Sequence, residues 1–277
     1  MDQPTTDTSP GRAALTDRHL AICGATDVGA IRADNQDTFV IADLRSGDLS
    51  NPCSRTDIPL SQRGILLLVC DGMGGAAAGD LAARIAAAAI KQQLIGGGPA
   101  VAQHPDDSLK SAVTGANGAV LAEAKAHPEA RGMGTTCTAA IVLPDRLFVA
   151  QVGDSRAYLL RDGRLQPLTR DQTMADELLE SGVLRPEQLA TFPYRHVLTQ
   201  AVGTRSTIEP ITSEARLRRG DRILLCSDGL HGPVPAADIA RILASSADIN
   251  VVTHELIQAA LAAGGPDNVT VVVADCE

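Results

Sequence analysis

CTAAIVL (137–143), RLFVAQV (146–152), SRAYLLR (155–161) and RLQPLT (164–169) are four strand-like pieces, parted by Pro144-Asp145, Gly153-Asp154 and Asp162-Gly163. Turn pairs at that spacing close hairpins, so this stretch reads as an antiparallel meander. Outward from it, ILLLVC (65–70) suits a strand buried on both faces. HLAICGATD (19–27) reads as a first strand, strand-like text returns at 221–227, and NVTVVVAD (268–275) closes the chain. Between them, the Ala-rich run from Gly75 to Ile95 predicts a helix of about 30 Å. A second helix is expected over Ser108–Ala126, and two more near 236–245 and 251–263. Residues 45–63 read as a loop, and 172–195 as a short helix with an exposed excursion. Antiparallel strands with helices grouped in pairs predict an α+β fold of two packed sheets flanked by helices. Residues 1–17, rich in Thr, Asp and Pro, read as a disordered tail. With no internal repeat or linker, 18–277 reads as a single domain.

Composition narrows the function. The 277 residues are 44% hydrophobic but hold no Trp, two Tyr and three Phe, so the core must be aliphatic. The net charge of −9, with no basic patch, argues against nucleic acid as a partner. The six cysteines form no C-x-x-C pair and no His/Cys metal spacing, which fits a reducing cytoplasm. The first residues lack the apolar core of a signal peptide, and no apolar run approaches a membrane span. A soluble cytoplasmic protein is expected.

The chemistry is written in aspartates. LLLVC runs into Asp71-Gly72, FVAQVG into Asp154, and ILLCS into Asp228-Gly229. Asp267 opens the last strand, and Asp37 precedes Phe39-Val40-Ile41. A lone Asp-Gly is usually only a turn, as Asp162-Gly163 is read here. Several carboxylates at the ends of buried strands are different, because uncompensated burial of charge is costly. Basic neighbours are few in sequence, Arg156 beside Asp154 being the exception. Either distant Lys or Arg folds onto these carboxylates or divalent cations neutralise them. An all-carboxylate set without thiolates points to Mg²⁺ or Mn²⁺ rather than zinc. Two such ions suit attack of water on phosphorus. The strand–Gly-rich turn–helix at Asp71–Gly79 also has the grammar of a dinucleotide site. Asp71 would oppose the pyrophosphate there, and no acidic strand end follows about twenty residues on.

In order along the chain, these stretches resemble the metal-dependent protein phosphatases of the PPM (type-2C serine/threonine) family in its bacterial form. The stretches are Thr26-Asp27-Val28-Gly29 with Arg32-Ala33-Asp34-Asn35-Gln36-Asp37, Asp71-Gly72-Met73-Gly74-Gly75, Gly132-Met133-Gly134-Thr135-Thr136, and Gly153-Asp154-Ser155-Arg156-Ala157-Tyr158. Leu198-Thr199-Gln200-Ala201-Val202-Gly203, Ser227-Asp228-Gly229-Leu230 and Gly265-Pro266-Asp267-Asn268-Val269-Thr270 complete the set. The resemblance spans about residues 19–275. It implies a central antiparallel β-sandwich with pairs of α-helices outside, a four-layer αββα arrangement. It implies hydrolysis of phosphoserine and phosphothreonine by a metal-activated water, with two Mn²⁺ or Mg²⁺ ions and a third, weaker site.

The same resemblance implies roles. Asp71 would bridge the two metals and the Gly72 carbonyl would bind one of them. Asp228 and Asp267 would bind the other, Asp37 would hold metal-bound water, and Asp154 with Asp228 would form the third site. Arg32 would grip the substrate phosphate, which a guanidinium fork does better than an ammonium. Residues 171–195 would form the flap of bacterial relatives. Phosphoproteins, among them a serine/threonine kinase and its targets, are the implied partners, and a monomer is expected. Two departures stand out. Gln36 replaces the usual glutamate, so weaker metal binding is expected. Met73 stands where animal relatives carry a histidine as candidate general acid, and no other histidine is an evident substitute; His196 reads as a surface residue. The rival readings are a phosphatase-fold protein that binds phosphoproteins without turnover, and a hydrolase of small phosphoesters.

Overall fold

A computed structural model describes residues 18–47 and 54–277. The expected tail at 1–17 lies outside them, as does Cys53. In chain order the strands are β1 (His19–Asp27), β2 (Asp37–Asp43), β3 (Thr56–Pro59) and β4 (Ile65–Met73). Helices α1 (Ala76–Gly96), α2 (Pro99–Gln103) and α3 (Pro105–Ala126) follow. Then come β5 (Gly134–Thr135), β6 (Cys137–Val142), β7 (Arg146–Val152), β8 (Arg156–Arg161) and β9 (Arg164–Pro167). After α4 (Met174–Glu180) come β10 (Ile211–Arg216), β11 (Arg222–Cys226), α5 (Asp228–His231), α6 (Ala236–Leu243), α7 (Ile249–Ala262) and β12 (Val269–Cys276).

The strands form two sheets, ordered β3-β1-β12-β11-β8-β9 and β10-β7-β6-β4-β2, with β5 paired to β4. Every pairing is antiparallel. Burial on both faces, with side chains alternating between them, explains why β4 is apolar from Ile65 to Cys70. Leu66, Leu68 and Cys70 pack toward α1 and α3, while Ile65, Leu67 and Val69 pack against the facing sheet. Each fully buried Leu, Ile or Val contributes about 1.5–3 kcal/mol. A third apolar layer joins β11 and β12 to α6 and α7 through Leu224, Ile239, Leu256 and Val273. The order is therefore helices, sheet, sheet, helices, as the sequence predicts.

Two features depart from the sequence reading. The expected loop at 45–63 contains β3, and β10 lies where no strand was expected. Both are edge strands with polar, half-exposed faces, so they carry no apolar run. The expected strand end at Asp71 is also too early: β4 continues to Met73, and β5 pairs with its last two residues.

α1 approaches β4 closely because Ala82, Ala83, Ala86 and Ala87 form its inner face. At the junction, a Cβ on Gly72 would lie 2.2 Å from the Gly79 carbonyl oxygen. Only glycine permits that contact. The strand that carries Asp71 is thereby pressed against the first turn of the helix.

Candidate active site

Antiparallel order brings the end of β1, the start of β2, the ends of β4 and β11, the β7–β8 turn and the start of β12 to one end of the sandwich. Asp37 and Asp71 stand directly opposite each other across β2 and β4. Like charges so paired repel. Asp154 follows β7, Asp228 opens α5, and Asp267 precedes β12. With Arg32, Gly72 and Met73 they line one cleft of about 1030 Å³. Asp37 lies beneath it, 7% exposed, behind Asp228 and Asp267.

Each carboxylate is held by its own neighbours. The Asp37 Oδ2 accepts a bond from Ser227 Oγ at 2.7 Å, while its Oδ1 is buried without a partner. The Asp71 backbone is fixed at both polar atoms: its N–H donates to Thr136 Oγ1 at 3.0 Å, and its carbonyl accepts from Thr136 N and Thr135 Oγ1, both at 2.8 Å. Its carboxyl lies close enough to that of Asp228 for the two to interact, and Asp228 Oδ1 is buried without a partner. The Asp267 Oδ2 accepts from Arg32 at 2.6 Å. Asn268 pins the loop before β2, donating to the carbonyls of Val28 and Asp34 and accepting from Gln36 N–H. Gly29, at φ 79°, sits where a Cβ would meet the Asp267 carbonyl at 2.2 Å. Ser227, Asn268, Thr135 and Thr136 were not read as site residues from sequence. The signal available was polar residues inside otherwise apolar strand text.

Arg156 does not neutralise Asp154, despite its place in sequence. Its guanidinium makes a two-pronged pair with Asp171, at 2.8 and 2.7 Å. Asp154 is 6% exposed, and His231 Nε2–H donates to its carbonyl oxygen at 3.0 Å. Burial pushes the Asp154 carboxyl up to about 8, with Asp228 and Asp171 adding to the rise. Burial likewise lifts Asp37 to about 7, against the bonds from Ser227 and Thr270. Asp71 and Asp228 are raised for the same first reason, with neighbouring carboxylates second. Acidic groups are thus gathered in a desolvated place, with the guanidinium groups of Arg32 and Arg195 on the cleft wall.

The donor set fits hard divalent cations. It is all oxygen, it leaves two buried carboxylate oxygens unpartnered, and no thiolate faces it. Among the described residues no three His, Cys, Asp or Glu side chains close into a finished cage. The groups that turn aside do so toward named partners, Asp267 to Arg32 and Asp37 to Ser227. The described cysteines, Cys23, Cys70, Cys137, Cys226 and Cys276, are all buried.

A four-layer sandwich with acidic strand ends at one mouth defines a recognisable class of fold and site. The chain matches the family described as Protein phosphatase 2C over residues 56–263, and it belongs to that family. The serine/threonine protein phosphatase PstP of Mycobacterium tuberculosis is 38% identical over 265 residues, covering 92% of this chain and 45% of PstP. This chain thus spans about half the length of that relative. The serine/threonine phosphatase stp of Listeria innocua is 32% identical over 216 residues, covering 76% of this chain and 84% of stp. The crystal structure of the PstP catalytic domain, described as a complex with two manganese ions, superposes with a TM-score of 0.75 at 35% identity. It covers 94% of this chain and 99% of that one.

Proposed function

We propose that this chain hydrolyses phosphoserine and phosphothreonine in proteins, using Mn²⁺ or Mg²⁺. The observation that carries the reading is the pair of unpartnered, buried carboxylate oxygens on Asp37 and Asp228, at a cleft that also holds Asp71, Asp267 and an exposed guanidinium. The named activity of its relatives and the two manganese ions of PstP support it. In this reading Asp71, the Gly72 carbonyl, Asp228 and Asp267 would hold two of the ions. Asp154 with Asp228 would hold a third, and Asp37 would orient water. Bound cations would lower the pKa of water and offset charge on the phosphoryl group.

The protein's own residues do the rest. Arg32, with its side chain 53% exposed, reaches the cleft mouth. Asp267 accepts one of its five N–H donors, which leaves the fork free to hold phosphoryl oxygens. Thr135 and Thr136 fix the backbone at Asp71, and Asn268 fixes the loop that carries Arg32. Holding both sides of the cleft rigidly aligns the phosphoryl group for in-line attack. We read 18–277 as one catalytic domain with a flap at about 171–195. Buried thiols suit work in a reducing cytoplasm, and phosphorylated kinases and their targets suit the substrate class.

The test is phosphate release from a phosphothreonine peptide with Mn²⁺, with Mg²⁺ and with EDTA, beside Asp71→Asn. Turnover that needs the cation and falls at least 100-fold in the variant is expected. A folded protein with no turnover under any divalent ion would favour a phosphoprotein-binding role instead.

A further inference from the structure

We propose that His196 is the proton donor to the departing seryl or threonyl oxygen, an inference that rests on the phosphatase reading above. Such an oxygen leaves as a strongly basic alkoxide unless it is protonated as the P–O bond breaks, and imidazole is the side chain most often used for that step.

The cleft narrows the choice. Met73, 37% exposed at its edge, has a thioether and no proton to give. The guanidinium groups of Arg32 and Arg195 do not release protons. Of the six histidines, all within the described residues, His196 is the one that lines the cleft. His19 begins β1, at the far end of the sandwich. His104 and His127 flank α3, and His254 lies on α7. His231 is spent on the Asp154 carbonyl, and burial pulls its pKa down to about 3.

His196 is also held in place. The excursion after α4 returns to its own base through a short ladder: Met174 N–H donates to the Val197 carbonyl at 2.8 Å, and Thr199 N–H to the Gln172 carbonyl at 2.9 Å. Gln172 is in turn bonded to Gly153 in both directions, at 2.8 and 2.9 Å. His196 therefore sits one residue beyond a backbone ladder that is anchored to the loop carrying Asp154.

The step balances. The imidazolium proton moves to the seryl or threonyl oxygen as the P–O bond breaks, giving the free alcohol. Water supplies the new oxygen on phosphorus and gives a proton to solvent, and the imidazole regains one from solvent. The sum is phosphomonoester plus water to alcohol plus inorganic phosphate.

The test compares two substrates on the cation-loaded protein. A phosphothreonine peptide needs the proton, whereas p-nitrophenyl phosphate leaves as a stabilised phenolate and needs it far less. In His196→Asn and His196→Gln, the ratio of kcat on the peptide to kcat on the aryl ester should fall about 100-fold. Across aryl phosphates of graded leaving-group basicity, log kcat should fall more steeply for the variants than for the unaltered protein. An unchanged ratio, or an equal loss on both substrates, would overturn the assignment while leaving the phosphatase reading standing. Absence of cation-dependent turnover on either substrate in the unaltered protein would instead remove both.

Discussion

Asp37 is the residue whose burial has the clearest measurable consequence. Its carboxyl is pushed up to about 7, well above its ordinary value near 4, so the folded state holds the proton more tightly than the unfolded chain. The stability this gives is complete below about pH 4 and is lost as pH rises through about 7. Asp154, lifted to about 8, adds in the same direction. In EDTA the protein should therefore melt at a lower temperature at pH 8 than at pH 5. Asp37→Asn should flatten that decline and raise Tm at pH 8 by a few degrees, at about 2–4 °C per kcal/mol. With Mn²⁺ present the order should reverse, because the variant loses a charge that faces the ions. Differential scanning calorimetry with and without the cation checks both halves. At this scale the sequence was most informative for acidic residues, since a charged group after an apolar strand is conspicuous. It was least informative for Ser227, Asn268 and Thr136, whose roles depend on partners brought from elsewhere in the chain: 190 positions away for Ser227, 65 for Thr136.

Among the elements, Arg222 adds polar ties between β11 and the end of α6 to the apolar layer they share. Arg222 makes a two-pronged pair with Asp275 on the neighbouring β12, and its Nη1 reaches the carbonyls of Leu243, the last residue of α6, and of Ser246 just after it. Arg222→Ala leaves Asp275 and both carbonyls without that donor in a largely dry place. The expected cost is about 3–5 kcal/mol, read as a shift in the urea midpoint with little change in slope. A cost under 1 kcal/mol would mean that the outer helices are held by their apolar face alone. The helices themselves were legible from sequence because their apolar stripes are long. β3 and β10 were not, because an edge strand four to six residues long, with polar faces, looks like a loop until its partner is known. The meander β6–β9 was legible for the opposite reason: each strand's partner follows it after a tight turn.

For the whole molecule, the decisive pairing is the least local one. β1 and β12 lie side by side over eight residue pairs, from Leu20 opposite Cys276 to Asp27 opposite Val269. His19 and Glu277 exchange backbone bonds of 3.3 and 2.9 Å. A sheet closed by such distant partners folds slowly, since the loop entropy is lost before the contacts form. No local sequence pattern reveals this pairing, which is why the two-sheet architecture could be read but not the strand order. A circular permutant that joins 277 to 18 through a short flexible linker and opens at the Asp162-Gly163 hairpin should keep its cation-dependent turnover within a few-fold. Loss of folding in that permutant would show that the order of the strands, and not only their pairing, is needed. β1 rises about 3.3 Å per residue from His19 to Asp27, so His19 and its partner Glu277 lie roughly 25–30 Å from the acidic mouth. Any segment leaving the domain beside His19 or Glu277 would thus depart from one pole, leaving a bulky phosphorylated protein free to approach the opposite one.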